Sequence, residues 1–567
     1  MNILADKFAA HLFRFKPFGK GADDPLSTLK SATRWAENLP TGDTLKSQHA
    51  VLTEVKRFNE NLTQLTKDRL SVLMLMDEKS AALQDTMVRQ YLRNPRMSRA
   101  VESQSWHNIY AMYWELARAY HAFILDFAYS AGKSSNESLM PLITLRAIHI
   151  FGLLLKWRAI RYLQFGEKIW KRLHNLYRIA ENEGFHQRKQ KAYPEDNFEC
   201  SCESVYLHIL MLNLANSGTL YPRQIDLVDS WLDNWHETMA LDRQVDTSIH
   251  NFAIDLAADH GPRRVRKTED EKPMRFWSTA ALLEQLKNIQ FAIREGTSTA
   301  QLGLTDNVRT AESIELLEHL QRQWSALSSR EQRRHPREPT KHIMDLTHGL
   351  GNIINQIKSV SSRAKRDNPY CISMPYAEED DVSVYGFITE RTQKRTELMN
   401  SMASANSPDV EHWVMQDESE SGYGSVVETR DKDWLRVGTL VATKPHATRN
   451  WRLGVIRRLS RISDESSSVG IEALSSTARI VMLYQTASTS AYTVDGFDNS
   501  GVKLPLVSLW LEGEDGAAAT LIIDSAHFQP GKVFEIQGLA KKQFVSLGYP
   551  IERSEGWMRI KAELVNS

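Results

Sequence analysis

The hydrophobic period changes once along this chain, and that change limits the fold more than any other feature. From Thr44 to about residue 330, apolar residues recur at threes and fours. Val51, Leu52, Val55, Phe58, Leu62 and Leu65 form one such series, and Leu70, Leu73, Leu75, Leu83 and Met87 the next. Trp106, Tyr110, Tyr113, Leu116, Tyr120, Phe123 and Phe127 mark a long amphipathic helix, and Trp157, Tyr162, Trp170, Leu173 and Tyr177 recur within 139–178. This is the spacing of helix faces. Further helices are expected at 203–215, 223–241, 245–258, 278–294 and 311–330, with Pro194, Pro222, Pro262 and Pro273 falling between runs. Aromatic stripes at helical spacing are more often core than stacking platforms.

From Trp413 the pattern is short runs of Val, Ile, Leu and Trp separated by turn residues. The runs are 437–441, 451–459, 469–474, 479–484, 504–511, 519–523 and 533–537, a spacing that argues for a barrel or sandwich. The expected fold class is therefore α+β multidomain, a large N-terminal all-α domain followed by a C-terminal antiparallel β-barrel. The expected division is an arm over 1–43, a helical domain over 44–330, a barrel over 331–490 with a polar insertion at about 361–412, and a β-rich segment over 491–567 that packs on or extends the barrel.

Lys plus Arg and Asp plus Glu number 70 each, so no net field draws the chain to nucleic acid or an anionic membrane. The cluster Arg263-Arg264-Val265-Arg266-Lys267 runs directly into Glu269, Asp270 and Glu271, which reads as a solvated loop of mixed charge. Three cysteines, Cys200, Cys202 and Cys371, make no disulfide framework and no CxxC pair, which fits a reducing cytoplasm. His11, Arg14, Lys16 and Lys20 interrupt any signal-peptide core. The apolar window 139–155 is broken by Pro141, Arg146 and His149, so it is expected to be a buried helix and not a membrane span. GxxxxGK[ST], HExxH and GxSxG are absent, and the scattered histidines are expected to be structural, with no metal site.

Two motifs carry chemistry. Arg333-Arg334-His335-Pro336-Arg337 gives RxxxR, and Asp417-Glu418-Ser419-Glu420-Ser421-Gly422 gives DxSxxG. Alone, RxxxR is common here, since Arg330/Arg334, Arg391/Arg395 and Arg457/Arg461 also match. Pro336 and Pro339 disfavour a helix, so the arginines belong to an extended arm. DxSxxG taken alone is a polar turn, but Trp413-Val414-Met415 before it and 423–427 after it place it at a strand bend. The pair, in this order, resembles the signature of PilZ domains, receptors for cyclic di-GMP. The resemblance continues through Trp434-x-x-Val437-Gly438, 451–457 and 469–474, and covers roughly 330–490. The 79 residues between Arg337 and Asp417 exceed the usual family spacing. Either 361–412 is an insertion, or the RxxxR pairing is accidental; Asp417 onward stands in both cases.

The resemblance implies a non-catalytic cytoplasmic receptor. Cyclic di-GMP would be bound by Arg333, Arg334 and Arg337 on one side and Asp417, Ser419 and Gly422 on the other, with no cofactor. Arginine forks onto phosphate and stacks on purines; a carboxylate accepts from the guanine edge. A protein partner is expected through the helical domain. The alternatives are a helical scaffold with a barrel that no longer binds ligand, or an enzyme without a recognisable motif.

Overall fold

The computed structural model describes residues 24–565 except 41, 61–64, 95–96, 130–136, 164–167, 217, 236–237, 267–272, 305–307, 327–336, 341, 367–409, 430–431, 446–449, 464, 486–504, 514–517, 530, 540–542 and 555. The chain forms two compact units. Unit 1 takes residues up to 158, 165–215 and 226–326, and unit 2 takes 159–164, 216–225 and 327–567.

Unit 1 is built on helices Leu29–Glu37, Thr44–Glu60, Lys67–Arg93, Arg99–Tyr129, Met140–Ile160, Ile169–Asn182, Cys202–Ala215, Pro222–Leu232, Ala280–Arg294 and Thr310–Trp324. The last residues of Met140–Ile160 and the first of Pro222–Leu232 belong to unit 2. The aromatic stripes are core: Trp170, Trp231, Trp277, Trp324, Tyr120, Tyr177 and Tyr206 are fully buried. Trp106 Nε1 donates to the Trp157 carbonyl at 2.9 Å, Trp324 Nε1 to the Met211 carbonyl at 3.1 Å, and Tyr177 stacks on Tyr206 at 4.5 Å. These two buried indoles each keep a partner for their one donor. Met140–Ile160 has the length and hydropathy of a membrane span, yet 83% of its apolar window is buried within the protein.

Three expectations change here. Helix Leu29–Glu37 replaces part of the arm over 1–43, closed at its start by a reciprocal Thr28–Ser31 capping box and buried through Ala32 and Ala36. Residues 1–23 lie outside the described residues. The helix expected at 245–258 is instead strand β1 (Phe252–Asp255), which pairs with β2 (Arg263–Arg264) and β3 (Met274–Trp277). A short apolar run buried on both faces has no periodicity that separates strand from helix. The basic cluster is also not a plain solvated loop. Arg264 lies in β2 and donates to the carbonyls of Gln323 and Ser325, at 3.0 and 3.3 Å. A cation there complements the C-terminal end of helix Thr310–Trp324.

Unit 2 holds two barrels. The first uses β4 (Glu338–Pro339), β5 (Ile343–His348), β6 (Glu411–Ser419), β7 (Gly422–Glu428), β8 (Leu440–Pro445), β9 (Arg452–Arg461) and β10 (Ser466–Ser475). Their order is β4-β6-β5-β8-β9-β10-β7, and a β6–β7 pairing closes the ring. Met344, Leu346, Trp413, Met415, Tyr423, Val427, Val441, Ile456, Leu459, Val469 and Ile471 fill its interior. The second barrel closes as β11 (Arg479–Gln485), β12 (Leu506–Leu511), β13 (Thr520–Ile523), β16 (Trp557–Val565), β15 (Gln543–Ser554) and β14 (Val533–Gln537). Residues 479–485 therefore leave the expected 331–490 barrel for the second one, and 491–567 supplies most of a separate barrel. Helix Leu350–Arg366 extends into the expected insertion, most of which, 367–409, is outside the described residues. Ile353 and Ile354 of that helix share a core with Leu440, Leu453 and Val455 of the first barrel and with Leu509, Ile522 and Trp557 of the second.

The two stretches that unit 2 draws from the helical part of the sequence complete strand β9. Leu459 N donates to the Gly218 carbonyl at 2.9 Å, and Arg461 N donates to the Tyr162 carbonyl at 2.8 Å. Tyr162 and Tyr221 pack against the first barrel's interior cluster. Gly438, at φ +85°, leaves room for Tyr221, whose hydroxyl would lie 2.1 Å from a Cβ at that position. The expectation of one continuous helical domain over 44–330 fails at these two segments.

Candidate ligand-binding face of the first barrel

DxSxxG folds as the β6–β7 hairpin. Ser419 stands opposite Gly422, with Glu420 and Ser421 as the link. The Ser419 hydroxyl donates to the Gly422 carbonyl at 3.3 Å. Gly422 also pairs with Glu472 of β10, and a Cβ there would fall 2.1 Å from the Ile471 carbonyl oxygen. No other residue fits without moving β10.

Asp417 owes its direction to a bulge. Along β6, Trp413 and Met415 point into the barrel, and regular alternation would send residue 417 inward too. The register shifts between Met415 and Asp417, so Gln416 is the extra residue and Asp417 stands opposite Gly424 rather than Tyr423. One inserted residue reverses the alternation beyond it, and the carboxylate turns outward. Gly424 is its seat: a Cβ there would lie 2.5 Å from Asp417 Oδ1.

Strand β4 brings the arginine arm to this point. Pro339 pairs with Asp417 and Glu338 with Glu418, while Thr340 N donates to the Gln416 carbonyl at 3.0 Å. Arg337 Nη1 then donates to Asp417 Oδ1 at 2.5 Å. The two side chains are 26% and 35% exposed. Nearby, Arg452 Nη1 donates to the Tyr423 hydroxyl at 2.7 Å and lies 4.0 Å from Glu418 Oε1. Of the six residues expected from the motifs, Arg337, Asp417, Ser419 and Gly422 thus come together where β4, β6 and β7 adjoin, although 79 residues separate Arg337 from Asp417. Arg333 and Arg334 lie outside the described residues. Nothing in the motifs marks the bulge at Gln416 or the seat at Gly424. The one available signal was the Gly422-Tyr423-Gly424 alternation, which puts two glycines on one face of a strand.

The chain leaves unit 1 for the arm after residue 326. Helix Thr310–Trp324, which precedes it in the chain, ends with the Trp324 carbonyl accepting from the Thr279 hydroxyl at 2.7 Å, beside the two carbonyls held by Arg264.

Residues 30–245 match the N-terminal domain of the cyclic-di-GMP receptor FimW. Residues 361–479 match the middle PilZ domain of the same receptor, a stretch that contains Asp417, Ser419 and Gly422 but begins after the arginine arm. No curated protein and no solved structure matches the chain. The two matched stretches follow one another in order and together span more than half of the 567 residues, so the chain belongs to the family of the cyclic-di-GMP receptor FimW and carries its PilZ domain.

Proposed function

We propose that the first barrel binds cyclic di-GMP, without altering it, on the outward face at Arg337 and Asp417. The observation that supports this most is the β4–β6 pairing, which sets a guanidinium and a carboxylate side by side on the PilZ hairpin. Arg337 forks onto a phosphodiester or stacks on a guanine, and Asp417 accepts from the N1–H and N2–H₂ edge. Arg333 and Arg334, on the same arm, add cations toward the phosphates. Gly422 holds the hairpin tight, and Ser419 sets its polar rim. A surface ion pair contributes only about 0–1 kcal/mol, so a ligand replaces the Arg337–Asp417 contact at little cost. The protein works as a cytoplasmic receptor with no catalytic step, and the arm relays occupancy through helix Thr310–Trp324 to a protein partner of the helical unit.

Calorimetric titration of the full chain with cyclic di-GMP tests this. Arg337→Ala is expected to weaken binding by about 1.5–3 kcal/mol, with far-UV circular dichroism unchanged. Asp417→Ala is expected to reduce discrimination between cyclic di-GMP and cyclic di-AMP together with affinity. Absence of binding by the wild type, or wild-type affinity in both variants, would leave a scaffold in place of a receptor. Chromatography after binding should return the nucleotide intact; a linear or hydrolysed product would make the chain an enzyme.

A further inference from the structure

We propose that Arg458 is a further ligand-binding arginine, facing Arg337 and Asp417 across a floor of two glycines. This rests on the reading that cyclic di-GMP occupies the outward face of the first barrel. Strand register carries the argument. Asp417 pairs with Gly424, Gly424 with Gly470, and Gly470 with Arg458, so the four residues form one cross-strand row over β6, β7, β10 and β9. The neighbouring row, Tyr423, Ile471 and Ile456, faces the interior, and so do Val469 and Leu459 on the other side. The row between them therefore faces outward.

Both ends of the row are set by bulges. The register on β9 shifts between Gly470 and Ile471, which leaves Arg457 as the extra residue and turns Arg458 outward, as Gln416 does for Asp417. Arg457 itself is committed elsewhere, to Glu472 at 2.6 Å and Glu552 at 2.9 Å. Between the charged ends the strip has no side chains. The Asp417 carboxylate covers Gly424, and a Cβ at Gly470 would lie 3.3 Å from Arg458 Cβ and 3.8 Å from its Nε. Three strand spacings of roughly 4.8 Å separate the ends. That strip suits a flat dinucleotide ring with two purines, and a guanidinium at its far side reaches the phosphate or purine face that Arg337 does not.

Arg458 also borders a segment that comes from the helical part of the sequence. A Cβ at Gly218 would lie 3.5 Å from Arg458 Cγ and 2.5 Å from the Leu459 carbonyl oxygen. Residues 216–225 are thereby in position to register a change in that side chain.

The test is calorimetric titration of cyclic di-GMP into the full chain as wild type, Arg337→Ala, Arg458→Ala and Arg458→Lys, each checked by circular dichroism. Arg458→Ala is expected to weaken binding about tenfold or more, and lysine to recover only part, since it lacks the planar fork. Wild-type affinity in Arg458→Ala with weakened Arg337→Ala would overturn this inference and leave the receptor reading standing. No binding by the wild type, or no effect of Arg337→Ala, would overturn the reading and the inference with it. If Arg458→Ala disturbs the fold, Arg458→Lys decides: undiminished affinity there overturns the role of the planar guanidinium.

Discussion

In unit 1 the best-partnered cations lie inside the helix packing, Arg146 and Lys156 being 2% and 9% exposed, whereas in unit 2 Arg337 meets Asp417 on the outside of a barrel and is 26% exposed. Lys156 Nζ donates to Asp226 Oδ1 and Asp229 Oδ2 at 2.6 Å each. His208 bonds Asp229 at 2.8 Å and lies 3.3 Å from Asp233. Arg146, only 2% exposed, donates to Glu78 and to the Ala192 carbonyl at 2.7 Å. The desolvated Arg146 and Lys156 cannot lose their acid partners without being left as uncompensated buried charges. The surface pair carries no such cost, so its partners are exchangeable. The difference separates charges that hold the helices in register from charges that can serve a ligand.

The largest expected break in this comparison is Lys156→Met. It leaves Asp226 without its lysine and Asp229 with His208 alone, and should destabilise unit 1 on the order of 3 kcal/mol in urea unfolding, while cyclic di-GMP affinity stays at the wild-type value. A stability change below about 1 kcal/mol would place the cluster with ordinary surface pairs.

The next effect is pH-dependent. Burial alone would lower the pKa of His208, but its hydrogen bonds to Asp229 and Asp233 outweigh burial and raise it from 6.5 to about 9. A raised histidine pKa adds stability that is complete below about pH 6.5 and fades as pH rises through about 9. Unfolding free energy should therefore fall between pH 6.5 and 9 by up to about 3 kcal/mol, and His208→Gln should flatten that slope. An unchanged slope in the variant would mean another group titrates there.

The smallest effect sharpens the other side of the comparison. Arg337→Ala should alter unfolding free energy by less than about 1 kcal/mol even where it weakens ligand binding. A larger loss would show that β4 depends on the ion pair, and the arm would then be structural. Hydrogen exchange adds a kinetic view: on adding cyclic di-GMP, amides of 413–424 and of helix Thr310–Trp324 should slow together, and protection confined to the barrel would remove the relay.

Much of this was legible in residue order. The switch from helical to short-strand periodicity separates the helical part from the barrels, and the aromatic stripes at helical spacing are core. DxSxxG announced a strand bend because Asp, Ser and Gly each favour turns, and it is the β6–β7 hairpin. What was not legible has a common cause. Strand β1 reads as helix in the sequence because Phe252, Ala253 and Ile254 are all buried, which erases periodicity. Arg457 stands in the sequence as a decoy match to RxxxR, whereas in the fold its guanidinium donates to both Glu472 and Glu552. The bulges at Gln416 and Arg457 leave no mark in composition, because a bulge is a relation between two strands.

By itself the sequence determined the local terms: which stretches repeat at 3.6 residues, which are short and β-branched, where proline stops a helix, and which six residues make a PilZ-like signature. These follow from steric and hydrophobic preferences that act within a few residues. Tertiary structure alone decided that Arg337 reaches Asp417 across 79 residues, that Asp417 and Arg458 face outward on one glycine row, and that 159–164 and 216–225 complete a barrel strand. Each of these depends on pairing between distant backbone segments. Strand register, set jointly by bulges, hydrogen bonds and the buried face, cannot be computed from either partner alone.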